Sequence, residues 1–101
     1  MARARETVTD APPELGAHVE LVECSVGELL PLIDMAANDK HIDLTFGALA
    51  ATLHVDGKRL SEAQIRELPA HLWRFLFVEL GPRALLINKI RQEAVPEEEK
   101  S

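Results

Sequence analysis

LPAHLWRFLFVELGPRALLINKI, residues Leu68 to Ile90, is the stretch that says most about the fold. Between Leu72 and Leu80 only Arg74 and Glu79 are charged, and the rest is Leu72, Trp73, Phe75, Leu76, Phe77, Val78 and Leu80. A helix on a protein surface needs one apolar stripe, whereas this segment is apolar on nearly every side. It is too short to span a bilayer, which takes about 20 apolar residues. The segment is therefore read as a central core helix, or as a helix with one face for the core and another for a partner.

Length and composition set the frame for that helix. A chain of 101 residues is the size of one domain. Such a chain buries roughly two-thirds of its unfolded surface, enough for a core but not a deep one. The net charge of −6 disfavours nucleic acid, because neutralising phosphates takes clustered Lys and Arg. Arg3 and Arg5 alone read better as part of a solubilising end than as a basic arm. The N-terminus lacks the apolar run of a signal peptide. A single cysteine, Cys24, cannot form an internal disulfide. A cytoplasmic protein is expected.

Outward from the central stretch, the chain reads as a series of short helices. Residues 1–16 combine charge, Thr and a Pro-Pro pair without apolar periodicity, and are expected to be a disordered leader. A single domain is expected over 17–93, and an acidic disordered tail over 94–101. Val19 and Leu21 alternate with His18, Glu20 and Val22, which suggests one short edge strand. Ser25 and Glu28 have capping-box spacing. They open a helix, VGELLPLIDMAAN, whose apolar set is Leu29, Leu30, Leu32, Ile33 and Met35. Pro31 is expected to bend it or delay its start. Asn38-Asp39-Lys40 ends it.

Asp43 is expected to cap a second helix, in which Gly47, Ala48, Ala50 and Ala51 would let another helix approach closely. Asp56-Gly57 stops that helix, or else turns a hairpin between LHV and KRL. Helix followed by a turn is the favoured reading of 52–60, since the preceding alanines favour helix. Ser61 and Gln64 repeat the capping box. Pro69 then suits the first turn of the central helix, and Gly81-Pro82 ends that helix and starts another over Arg83–Glu93. The fold class expected is mainly α: a small bundle of four to five short helices with at most one short strand or hairpin.

Chemistry is sparse. His18, His41, His54 and His71 have no metal-ligand spacing, and no C-x-x-C occurs. Asp34, Asp39 and Asp43 match no calcium loop, and Asp56-Gly57-Lys58 lacks the context of a phosphate loop. A lone Cys24 reads as a small apolar residue rather than a nucleophile. No catalytic, cofactor-binding or metal residue is assigned and no enzyme is expected. What remains is apolar surface. Leu72, Phe75, Leu76, Leu80, Leu86 and Ile90 are expected to fill the core. Trp73, Phe77, Leu85 and Ile87 are expected to bind a helical protein partner, because a domain this small has little to cover them with.

The order of these signals resembles one known family. A strand-like lead, the capped Ser-Val-Gly-Glu at Ser25–Glu28, Asp56-Gly57, Leu-Ser-x-x-x-Ile-x-x-Leu-Pro from Leu60 to Pro69, and an apolar helix ending at Ile87-Asn88 are similar to the tail assembly chaperones of long-tailed bacteriophages. The resemblance covers about Val19 to Ile90. It implies a small, mostly helical, non-enzymatic protein that coats the helix-rich tape measure protein before the tail tube forms around it. It also implies self-association and a role in the infected cell. The competing expectation is a small phage-encoded inhibitor or adaptor that meets a host protein through an acidic surface, prompted by the net charge and the Glu-rich tail.

Overall fold

A computed structural model describes residues 3–90. It overturns the mainly α expectation, because a four-stranded antiparallel sheet stands beside the helices. The strands are β1 (Arg5–Val8), β2 (Val19–Val22), β3 (Leu53–Val55) and β4 (Lys58–Arg59), in that order across the sheet. Helices α1 (Val26–Ala37) and α2 (His41–Thr52) lie in sequence between β2 and β3. After β4 come α3 (Glu62–Arg66), a 3-10 turn (Ala70–Leu72), a π-helical segment (Phe75–Leu80) and α4 (Gly81–Ile87). The acidic tail 94–101 lies outside the described residues, as does the helix expected beyond Ile90.

Within the region expected to be a leader, β1 pairs with β2 in the register Arg5↔Val22 to Val8↔Val19. Val8 and Leu15 are buried there. The strand is held from outside its own sequence. The Glu23 amide donates to the Ala4 carbonyl at 2.8 Å. Arg83 on α4 donates to Glu6 at 2.7 Å and to Asp10 at 3.4 Å. With one apolar side chain in Arg5–Val8, β1 has no periodicity to announce it, since its partners lie far along the chain.

Both readings of 52–60 hold in part. Helix α2 runs to Thr52, and Leu53–Val55 then pairs with Lys58–Arg59 as a hairpin. Asp56 and Gly57 have φ of 52° and 83°, the paired positive values of the turn that matches strand twist. The first capping box forms as spaced: Ser25 Oγ accepts the Glu28 amide at 3.3 Å, and the Glu28 carboxylate accepts the Ser25 amide at 3.2 Å. The second forms at Ser61 and Gln64. Helix α1 starts at Val26 and carries Pro31 inside it, so its start is not delayed. Helix α2 starts at His41, three residues earlier than the Asp43 cap implied, with Asp43 in its first turn.

The core gathers on α2 rather than on Leu68–Ile90. Leu44, Ala48 and Leu49 are fully enclosed, and Leu21, Leu53, Ile65 and Leu80 close around them from the sheet, α3 and the π segment. The small residues act as expected. A Cβ on Gly47 would stand 2.8 Å from Leu32 of α1, and one on Gly81 would stand 3.0 Å from Thr45 of α2. Helices meet here at a distance that side chains would forbid.

Glu28 joins this frame to pH. Burial pushes its carboxyl up, but the Ser25 amide and the Arg59 guanidinium, 2.6 Å away, outweigh burial and hold it below its ordinary value of 4.5. A carboxylate lowered in the folded state stabilises fully above its unfolded pKa, and the contribution is lost as pH falls through the folded value. Glu28→Gln keeps the capping geometry but removes the titration. Its urea-derived stability is expected to fall less steeply than the parent's between about pH 5 and pH 3. Equal slopes would show that the Glu28 carboxyl is not lowered by folding.

Candidate partner-binding surface

The four residues assigned to a partner separate in the structure. Trp73 is 55% exposed and Phe77 is half-buried, whereas Leu85 is sealed at 5% and Ile87 packs against the core edge. Leu86, expected in the core, is 69% exposed. The assignments of Leu85 and Leu86 are thus exchanged. Both residues sit in α4, where Ala84 and Leu85 face α2 and the sheet and turn their neighbour outward.

Phe77 belongs to an aromatic contact shared with α2. The Phe46 and Phe77 rings meet edge to face, with centroids 5.1 Å apart and planes at 83°. The Arg66 guanidinium covers Phe46 at 4.1 Å from the ring centre. Arg66 is itself held by Glu62 at 2.7 Å and by Asp43 at 3.6 Å. Arg74 lies over Trp73 at 5.5 Å. Ile42, one turn before Phe46, is exposed. Trp73 is left open, as an aromatic anchor for a partner's pocket would be.

A second apolar surface had no place in the sequence assignment. The inner side of α1 buries Leu32 and packs Leu29, Met35 and Ala36 on the core. Its outer side carries Val26, Leu30 and Ile33, exposed by 73%, 60% and 48%. Their spacing of four and three puts them on one helical line. Next to that line, Leu29, Ile33, Ala36, Ala37, Asn88, Lys89 and Ile90 line a groove of about 340 Å³. Single exposed apolar side chains are ordinary on any protein, but a continuous row beside an apolar groove is not. The signal was present in VGELLPLIDMAA, whose apolar residues fill more of the helix than one stripe requires.

The end of α4 shapes that groove. Lys89 has φ of 59°, the Ile90 amide donates to the Leu85 carbonyl at 2.9 Å, and the Lys89 amide donates to Leu86 at 2.9 Å. This closing motif folds Ile90 back against Leu85. Asn88 makes its bonds inward: Oδ1 accepts the Cys24 amide at 2.9 Å, and Nδ2 donates to the Ala84 carbonyl at 2.9 Å. Its polar atoms are spent on the protein, which leaves the groove wall apolar except for Lys89.

Cys24 is half-buried, and burial followed by the Glu28 charge pushes its thiol up, away from the thiolate a nucleophile needs. Among the described residues no group of three or more His, Cys, Asp or Glu could hold a metal ion. Among the same residues no helix is long and apolar enough to cross a membrane. Six carboxylates among the described residues pair with arginine: Glu20 with Arg5, Glu28 with Arg59, Glu62 and Asp43 with Arg66, and Glu6 and Asp10 with Arg83. No family profile, curated protein or solved structure matches the chain.

Proposed function

We propose that this chain is a non-enzymatic binding protein that shields an apolar helical partner, and that it is a tail assembly chaperone of a long-tailed bacteriophage acting on the tape measure protein. The observation that carries the reading is the outer side of α1, where Val26, Leu30 and Ile33 stand in a row beside an apolar groove. The exposed Trp73 supplies a second contact of the same kind. A partner helix would lay its own apolar side chains at i, i+3 or i+4, and i+7 into such a groove. Self-association through the same surfaces and work in the cytoplasm of the infected cell belong to this proposal.

Co-expression with a helical segment of a tape measure protein is expected to raise that segment's soluble fraction. Leu30→Ser and Trp73→Ala change exposed side chains, so both variants are expected to keep the parent's melting temperature. Each is expected to weaken binding by about 1 kcal/mol or more, the cost of truncating an interface anchor. No gain in solubility with the parent chain would overturn the proposal.

A further inference from the structure

Leu72, Leu76, Leu80, Ala84 and Asn88 are all buried, and they recur at every fourth position. In an unbroken α-helix each step of four drifts by about 40°, so the row would wander about 160° around the axis. It stays on one side because Phe75–Leu80 is π-helical. The Gly81 amide donates to the Leu76 carbonyl, five residues back. This wider turn takes up the excess rotation.

Directly after it stands Pro82, in the first turn of α4. In an α register its ring would press on the Val78 carbonyl four residues back, and it has no N–H to offer that oxygen. We infer that Pro82 locks the π register and so fixes the direction in which Trp73 and Phe77 face. Relative to α4, one extra residue in the turn rotates everything upstream by about 100° compared with a continuous α-helix. That rotation sets Phe77 against Phe46 and leaves Trp73 outward. Pro82 touches no partner on this account and acts as a positioning residue. Its bearing on binding rests on the function proposed above, whereas its structural effect does not.

The test is Pro82→Ala, read first without any partner. The chain has a single tryptophan, so acrylamide quenching reports on Trp73 alone. The variant is expected to lose the ring-to-ring nuclear Overhauser contact between Phe46 and Phe77, to alter Trp73 quenching, and to gain a protected amide at position 82. Deleting Glu79 from the variant removes the extra residue, so a continuous α-helix restores the original facing and the Phe46–Phe77 contact returns. If Pro82→Ala keeps the contact and the quenching of the parent, the buried row alone holds the register and the inference is wrong. Should Pro82→Ala fail to fold, the double variant decides, by regaining the contact or failing to. With a tape-measure segment as probe, binding by Pro82→Ala is expected to drop about tenfold or more and to recover in the double variant. Unchanged binding despite a lost contact would count against the proposed surface, not against the role of Pro82.

Discussion

Leu80→Ala is expected to lower the unfolding free energy by about 2–5 kcal/mol, while Leu86→Ala stays within about 0.5 kcal/mol of the parent. Leu80 is fully enclosed where the π segment meets α2, and Leu86 stands 69% exposed six residues later. Truncating the first removes buried contacts and leaves a cavity in the core cluster that its close-packed neighbours cannot fill without moving. Truncating the second removes a side chain that water already surrounds. Each kcal/mol shifts the midpoint of a domain this size by about 4–8 °C, so a thermal melt separates the two clearly. Equal costs would mean that α4 turns a different side to the core from the one described.

Gly16→Ala is expected to cost roughly 2–5 kcal/mol, the sum of an overpacking penalty and a backbone penalty. Gly16 has φ of 154°, and a Cβ there would stand 2.3 Å from Val55 Cγ1. Val55 is β-branched and paired with both Val19 and Lys58, so it has little freedom to yield. Asp56 adds to the constraint by accepting the His18 amide at 2.8 Å and donating its own amide to the His18 carbonyl at 2.7 Å. Urea denaturation measures the cost. A variant as stable as the parent would show that the connection between β1 and β2 does not press on the hairpin.

Elements with a local cause were legible in the sequence, and elements with a distant cause were not. Ser25 with Glu28 and Ser61 with Gln64 name their helix starts because donor and acceptor lie three residues apart. Asp56-Gly57 names its turn for the same reason, although alanines upstream argued for helix and both proved present. β1 is different. Its pairing with Val19–Val22 and its anchoring by Arg83 cross most of the chain, and RETV alone reads as solvent-facing. The candidate surface shows the same division. Trp73 and Phe77 stood out by composition, but only the π register settles which of Leu85 and Leu86 faces inward. The outer row of α1 is masked in the sequence because Leu30 and Ile33 are interleaved with Leu29, Leu32 and Met35, which pack on the core.

The two margins of the sheet have a bearing on aggregation. β4 is two residues long, too brief to template another strand. Along β1 the Ala4 carbonyl is taken by Glu23, so by alternation the main-chain groups of Arg5 and Thr7 point outward. A second copy laid antiparallel there, centred on Arg5, would set two guanidinium groups side by side, and centred on Glu6 it would set two carboxylates face to face. Both rims thus discourage the strand-to-strand stacking that begins fibrils, which leaves the exposed helical surfaces as the places where this protein can meet another.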